Sequence, residues 1–429
     1  MLDYRFIVDN LSQVMANIAD RFMKADARLV VDLFNRKTAI ATRLQSLQRA
    51  RNANAAAVKG AKDGAGRGAL VEEGKRLKAD IEACEAELAI AEKELETEAR
   101  RIPNMAHPDA PVGKEEKDNL EVKRVGKIPE FAFASADHVK LGQDLDIVDF
   151  DSGTKVSGTK FYYLKNEGVF LELALVRYAL DILVKKGFTP FITPDIAREE
   201  ILEGIGFNPR GEESNVYMLE GEDACLVGTA EITLGGYCSN TIIPREKLPL
   251  RMAGLSHCFR REAGAAGQFS KGLYRVHQFT KLEMFVYCLP EDSDRLHEEL
   301  RAIEEEIFEG LTIPFRVVDT CTGDLGAPAY RKWDLEAWMP GRAGPSSRGG
   351  DWGEVTSTSN CTDYQARRLN IRYRDEDGRN KYVHMLNGTA VAVSRAIIAL
   401  LENFQEADGS VRIPRALVPY TGFDRIKKK

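Results

Sequence analysis

The sequence predicts an α+β protein: an antiparallel β-sheet flanked by helices, preceded in the chain by an antiparallel coiled-coil helical hairpin. Three observations carry this. Apolar residues recur every seven positions between residues 33 and 102, with one glycine-rich interruption. The stretch Phe259–Phe285 reads as two strands joined by a long loop, and Leu386–Arg395 as a strand running into a helix. The argument in each case is period: about 3.5–3.6 residues for a helix seam or face, 2 for a strand.

Composition narrows the class. With 429 residues the chain has room for about two to three domains. Apolar residues make up 44%, enough for a sizeable core. The net charge of −6 excludes a molecule that is basic throughout, so any nucleic-acid contact must come from a local patch. The seven cysteines are scattered without a C-x-x-C pair, which points to free thiols in a reducing compartment and to no zinc site. No apolar run approaches the about 18 residues of a membrane span. The opening Met1-Leu2-Asp3-Tyr4-Arg5 carries early acid and no signal-type apolar core. A cytoplasmic location is expected, with a mitochondrial or plastid matrix after presequence removal as the alternative.

In chain order, residues up to about Ala27 read as helical, with Asp9-Asn10-Leu11 offering a cap ahead of Val14 and Ile18. Leu33, Ile40 and Leu47, with Leu44, form one heptad seam. Leu70, Leu77, Cys84 and Ala91, with Ile81, Leu88, Leu95 and Ile102, form the facing pair. Gly60–Gly68 reads as the turn and is not a P-loop, since no Gly-Lys-Ser/Thr follows. An arm of about 28 residues reaches about 40 Å. Arg43, Arg49, Arg51, Lys59, Lys62, Arg67, Lys75, Arg76 and Lys78 crowd toward the turn, and Glu82 to Glu98 toward the base. Such an arm can grip RNA phosphates; on charge alone, a solvated hairpin or a dimerisation device explains it equally well. Pro103, Pro108 and Pro111 make an extended linker, which sets the expected domains at 1–112 and 113–429.

Beyond the linker, Phe150–Lys165 reads as strand and turn. Asn166–Lys186 reads as a helix capped by Asn166, with Val169, Leu173, Val176, Leu180, Leu183 and Val184 on one face and Gly187 as its stop. Phe188–Pro194 is a strand ending at proline. In Gly228-Thr229-Ala230-Glu231, read as extended, Thr229 and Glu231 point the same way and could bind an ammonium group. The first strand of the Phe259–Phe285 stretch ends in Arg260 and Glu262. The second alternates Leu273, Arg275, His277 and Phe279 with Tyr274, Val276 and Gln278. The Gly/Ala-rich loop between them, with Lys271, makes a cradle for a triphosphate. Glu298–Phe308 reads as an acidic surface helix, Asp324–Pro340 as a loop into a strand and Arg342–Trp352 as an exposed loop. Glu354 and Ser357 offer oxygen ligands for Mg²⁺. Arg395 falls near a helix start, where a triphosphate is welcome. The Lys427–Lys429 tail is expected to be disordered.

These segments, in this order, resemble the three signature motifs of class II aminoacyl-tRNA synthetases. The wording from His257-Cys258-Phe259-Arg260 to His277-Gln278-Phe279 is similar to seryl-tRNA synthetases in particular. Helix, strand and Pro194 resemble motif 1, and Leu386–Arg395 motif 3, with Thr389 where the family commonly has Ser. The likeness covers nearly the whole chain. It implies that the 113–429 part is a class II catalytic core, that the arm grips the long variable arm of tRNA(Ser), and that motif 1 builds a homodimer. It implies activation of L-serine with ATP to seryl-adenylate and transfer to the 3′ end of tRNA(Ser), with tRNA(Sec) as a further candidate acceptor. Position by position, Arg260 would hold the α-phosphate and the serine carboxylate, Glu262 the adenine amino group, and Phe279 would stack on adenine. Arg395 would take the γ-phosphate, and Glu354 and Ser357 the Mg²⁺, with Arg261, Val276, Val355 and Thr356 completing the ATP set. Thr229, Ala230 and Glu231 would grip the serine ammonium, and Glu283 and Thr389 its hydroxyl. The alternative is a catalytically silent, RNA-binding paralogue. A missing motif arginine would favour that, and none is missing. The resemblance requires Arg260 and Arg395 to face one cavity.

Overall fold

The computed structural model describes residues 1–61, 64–208, 214–263, 269–342 and 349–428. The chain divides into two compact units, Met1–Met105 and Ala106–Lys429.

The first unit opens with α1 (Tyr4–Asp9), capped by Asp3, whose carboxylate accepts from the backbone N–H of Arg5 and Phe6 at 2.9 and 3.2 Å. α2 (Leu11–Asp20) begins after Asn10, but the Asn10 amide does not cap it and donates back to the Phe6 carbonyl instead. The hairpin is α3 (Ala27–Gly60) and α4 (Gly64–Ala99). Of the glycines expected in the turn, Gly60 ends α3 and Gly64, Gly66 and Gly68 belong to α4, while Lys62 and Asp63 lie outside the described residues. The heptad seam forms as expected, with Ile40, Cys84 and Ala91 buried and Leu44, Leu47 and Leu88 against them. Across the seam Arg36 meets Glu94 at 2.9 Å, Lys37 meets Glu92 at 3.6 Å, and Arg43 pairs with Glu87. Exposed pairs contribute only about 0–1 kcal/mol each, so the apolar seam sets the register. Nearer the turn, Arg49, Arg51, Lys59 and Arg67 make no ion pair among the described residues.

The second unit is built on an eight-stranded sheet. Its strands are β1 (Leu120–Val125), β2 (Thr189–Ile192), β3 (Leu250–Phe259), β4 (Gln278–Cys288), β5 (Phe315–Asp319), β6 (Arg331–Met339), β7 (Asp351–Asn360) and β8 (His384–Ala392). They lie in the order β1-β5-β6-β7-β8-β4-β3-β2, antiparallel except for β2 beside β3. Strand alternation assigns the faces. Leu282, Met284 and Val286 of β4 enter the main core with Leu171, Leu300, Ile303 and Leu400 from the helices. Phe285 and Tyr287, on the opposite face, join a smaller cluster with Ala230 and Leu234. Full burial of such side chains favours the fold by about 1.5–3 kcal/mol apiece.

Several elements differ from the sequence reading. Residues 150–157 are helical (α6, Phe150–Ser157, following α5, His138–Asp144) instead of strand and turn. The Asp149 carboxylate accepts from the Ser152 N–H at 2.9 Å and its hydroxyl at 2.8 Å, and Gly158 ends the helix at φ +102°. Local capping outweighs the β-propensity of Thr154 and Val156. The Glu298–Phe308 stretch is not a surface helix: in Ser293–Gly310 a stripe of Leu296, Leu300, Ile303, Ile307 and Phe308 is buried, as is Glu304. In α7 (Glu167–Lys185) the buried stripe is Leu171, Ala174, Leu175, Tyr178 and Leu183. Val169, Leu173 and Val184, expected on one core face with Leu183, are 41%, 60% and 49% exposed, next in kind to Phe170 and Ile192 at 55% and 87%. Asn166 precedes α7 without capping it; its amide donates to Asp146. Of Arg342–Trp352, expected as an exposed loop, Asp351 and a buried Trp352 belong to β7, and residues 343–348 lie outside the described residues. In the tail, Lys428 meets Asp144 at 3.3 Å, while Lys429 lies outside the described residues.

Phe308, wholly buried between its helix and the sheet core, gives a direct check. Phe308→Ala should lower unfolding stability by about 3–5 kcal/mol in denaturant titrations; a loss below about 1 kcal/mol would mean the site collapses around the deletion.

Candidate functional site

β3 ends at Phe259, one residue before Arg260, and the returning strand begins only at Gln278. Residues 273–277, expected to be strand, are not: the Leu273 N–H donates to His138 Nε2 at 3.2 Å and the His277 N–H to the Lys160 carbonyl at 3.1 Å, away from any ladder. The Arg260 N–H still donates to the His277 carbonyl at 3.0 Å, which closes the base of the loop. Of the loop itself, residues 264–268 lie outside the described residues. On β4, Phe279, Lys281 and Glu283 share the face opposite the main core. The Arg260 guanidinium sits 5.3 Å over the Phe279 ring, and its Nε donates to the Gly228 carbonyl at 3.2 Å. Glu262 adopts φ +51°, and its carboxylate meets Arg275 at 3.2 Å.

Two β-bulges bring the remaining groups to this face. Leu282 pairs with Val391 but Glu283 with Thr389, so Ala390 is an extra residue. Thr389 thereby opposes Glu283: its hydroxyl donates to Glu283 Oε2 at 3.4 Å, and Lys281 pairs with the same carboxylate and lies 3.4 Å from the hydroxyl. On β7, Thr356 pairs with Leu335 and Glu354 with Glu336, so Val355 is extra. Opposed residues share a face; Glu354 joins Glu336, and Ser357 joins Asp334. Three positions apart in an unbroken strand, Glu354 and Ser357 would point to opposite sides.

The Thr229–Glu231 segment is not extended. Thr229 is the N-cap of α8 (Ala230–Gly236), its hydroxyl accepting from the Glu231 N–H at 3.2 Å, and Ala230 is buried in the smaller core cluster. Glu231 accepts from Asn387 Nδ2 at 3.0 Å and Gln365 Nε2 at 2.9 Å. Burial first, and then the Glu283 charge, push its carboxyl up to about 7. Arg395 lies in the first turn of the helix Val393–Asn403. It donates to the Glu354 carbonyl at 2.9 Å, faces the Glu354 carboxylate at 3.3 Å and reaches the Tyr274 carbonyl at 3.5 Å. Burial would raise the Glu354 carboxyl, but Arg395, Lys332 and Arg260 outweigh it and hold it below the usual range.

Arg260 and Arg395 line one cleft with Glu262, Val276, Phe279, Glu354, Val355, Thr356 and Thr389. Thr229 and Glu231 do not line it: Glu231 lies against Asn387 and near the Glu283 charge, Thr229 is bonded to the Glu231 N–H, and Ser357 lies beside Asp334. Arg261 does not join: it is exposed, and its backbone N–H donates to the Asn215 carbonyl at 3.0 Å. A roomier cleft, about 360 Å³, shares only Phe279 with the first and holds neither arginine, so size does not single out the chemistry. Sequence reasoning passed over Lys281, Arg275, Tyr274, Asn387 and Gln365. Lys281 was visible, since period 2 places it between Phe279 and Glu283; Asn387 likewise stands two residues before Thr389. Nothing in the sequence marked Gln365, which comes from a separate helix, Tyr364–Leu369. Among the described residues no helix is long and apolar enough to cross a membrane.

The chain is similar to known proteins over its whole length. Residues 217–404 match the tRNA synthetase class II core domain (G, H, P, S and T), and residues 1–106 the seryl-tRNA synthetase N-terminal domain. The serine–tRNA ligase of Treponema denticola is 70% identical over 426 residues, covering 99% of this chain and 100% of its own. That of Borrelia recurrentis is 57% identical over 429 residues, covering 100% of both chains. The crystal structure of seryl-tRNA synthetase from Pyrococcus horikoshii complexed with ATP matches over 100% of both chains, with TM-score 0.92 and 41% identity. The cytoplasmic serine–tRNA ligase of Naegleria fowleri in complex with AMP matches at TM-score 0.87 and 31% identity, over 100% of this chain and 99% of its own. Full-length identity at this level, with both domains matched in order, places the chain in the serine–tRNA ligase family of class II aminoacyl-tRNA synthetases.

Proposed function

We propose that this chain joins L-serine to the 3′ end of tRNA(Ser) at the expense of ATP, as a homodimer in the cytoplasm. The observation that carries the reading is the convergence of Arg260 and Arg395, far apart in sequence, on one cleft bordered by the Glu283–Thr389 pair. The reaction has two steps. A serine carboxylate oxygen attacks the α-phosphorus of ATP and pyrophosphate leaves; a ribose hydroxyl of the tRNA then attacks the acyl carbon and releases AMP. Arg260 offsets the repulsion between the carboxylate and the α-phosphate. Arg395 takes the γ-phosphate in place of the Glu354 carboxylate. Glu262 meets the adenine amino group and Phe279 its ring. Positioning and charge stabilisation suffice, and no protein nucleophile is needed. All seven cysteines are buried and free.

Glu354 and Ser357, brought to one face by the Val355 bulge, offer a carboxylate and a hydroxyl oxygen, a hard donor set that suits Mg²⁺. A Mg²⁺ ion there would neutralise phosphate charge. For serine, Glu231 takes the ammonium with Thr229 alongside, and Glu283 with Thr389 the hydroxyl. A site built to bond a hydroxyl strongly rejects alanine, which leaves a buried acid without its partner. Arg49, Arg51, Lys59 and Arg67 near the hairpin turn, which form no ion pair among the described residues, support phosphate contacts with tRNA(Ser). The exposed apolar residues of α7 and β2 support the dimer.

Three outcomes are expected. Arg260→Ala should cut serine-dependent ATP–pyrophosphate exchange by about 10²–10³-fold while gel filtration still shows a dimer. No exchange in the wild-type dimer would point to the silent paralogue. Deleting Arg49–Lys78 should abolish aminoacylation and spare exchange; equal loss of both would mean the catalytic site needs the arm. The third outcome concerns pH. The Glu231 carboxyl, raised to about 7, binds an ammonium only when ionised, so its useful form is present above pH 7 and lost below. The serine KM in exchange should therefore rise about tenfold per pH unit below that point. The rise should flatten in Glu231→Gln; the same slope in that variant would assign the titration elsewhere.

A further inference from the structure

The path from Glu402 to Arg395 is not part of the serine or ATP contacts described so far. Glu402, buried on the helix Val393–Asn403, accepts from the Gly341 N–H at 2.7 Å through one oxygen. Through the other it accepts from the His138 N–H at 3.0 Å and from His138 Nδ1 at 2.7 Å. The tautomer with its proton on Nδ1 leaves His138 Nε2 free to accept from the Leu273 N–H at 3.2 Å. One buried carboxylate thus fixes two distant points of the chain, Gly341 and Leu273, and their neighbours Arg342 and Tyr274 meet as a result.

The meeting is specific. An Arg342 guanidinium N–H donates to the Tyr274 hydroxyl at 2.8 Å, and the group lies 5.0 Å over the Tyr274 ring and 5.3 Å over Phe269. The ring of Tyr274 also carries Arg395 at 4.7 Å, and its carbonyl accepts from Arg395 Nε at 3.5 Å. Gly353 is what lets Arg342 in: a Cβ there would stand 2.6 Å from the Arg342 guanidinium. Of the groups that orient Arg395, the Glu354 carboxylate must turn to other work once a triphosphate is bound. The Tyr274 ring and carbonyl remain, beside the Glu354 backbone carbonyl at 2.9 Å.

We propose that Arg342 is a positioning residue for the triphosphate: it holds Tyr274, and Tyr274 in turn orients Arg395, so that affinity for ATP depends on it and affinity for AMP does not. The proposal rests on Arg395 being the γ-phosphate ligand. A planar, stacked guanidinium is required, so a lysine cannot replace it.

The test is calorimetric binding of MgATP and of AMP to the full-length chain. Arg342→Ala should weaken ATP binding about tenfold and leave AMP within about twofold, and Arg342→Lys should stay close to the alanine variant. Tyr274→Phe, which removes one hydroxyl and keeps the ring, should weaken ATP about threefold with AMP unchanged. In exchange assays the ATP KM should rise while the serine KM stays. Unchanged ATP affinity in Arg342→Ala, or a parallel loss of ATP, AMP and serine binding, overturns the proposal. If Arg342→Ala does not fold, an unchanged ATP-to-AMP ratio in Tyr274→Phe overturns it instead. An Arg395→Ala chain that binds ATP as tightly as wild type refutes the γ-phosphate role itself. Weakening there with none in Arg342→Ala refutes only the relay.

Discussion

A β-strand sends successive side chains to opposite faces, so a site built on a sheet can recruit only every second residue. Two extra residues, Ala390 and Val355, release this chain from that rule. The first sets Thr389 opposite Glu283, and the second turns Glu354 and Ser357 to the side that carries Asp334. Without them the acid and the hydroxyls would fall on both faces of the sheet, half of them inside the apolar core. A bulge costs a little ladder regularity and gains a change of address for every side chain beyond it.

The charges gathered in this way are paired before any substrate arrives. Lys281 holds Glu283, Arg395 holds Glu354, Arg275 holds Glu262, and Asn387 with Gln365 serve Glu231. A buried charge left alone costs several kcal/mol, and these pairs offset that cost. Binding then exchanges partners instead of filling voids. On the proposed reading Arg395 trades a carboxylate for a phosphate, and the side chains that orient it from behind have to stay put during the trade. Tyr274 is placed to be one of them.

The sequence told most about features whose signal is local. The heptads over Leu33–Ile102 and the order of Arg260, Glu354 and Arg395 could be read directly, because each depends on spacing within one element. The bulges could not, since an extra residue is defined only against its partner strand. Nor could the start of α8: Thr229 and Glu231 two apart fit a strand as well as a cap and first turn, and only the hydrogen bond from the Glu231 N–H to Thr229 decides it. The helix Ser293–Gly310 was misread for a different reason. Its many acids concealed a buried stripe at i, i+4, i+7 and i+11 from Leu296. In α7 the opposite happened: more apolar residues are present than one core face can take, and the surplus is left exposed.

The pairing also bears on why the amino-acid pocket should favour a small zwitterion. The Glu283 charge raises the cost of ionising Glu231, and one cation, Lys281, is already committed to Glu283. Among the described residues no cation pairs with Glu231, whose side-chain partners are two amides. On the proposed reading a substrate ammonium would supply that cation, and the Glu231 carboxyl would return to its ionised form with both amide donors in place. A substrate without the ammonium would leave Glu231 protonated and its amide donors facing a poorer acceptor. One with the ammonium but no hydroxyl would leave Glu283 and Thr389 bonded only to each other and to Lys281. On the proposed reading the two acids divide the recognition, one reading charge and the other the hydroxyl, with Lys281 committed to the second.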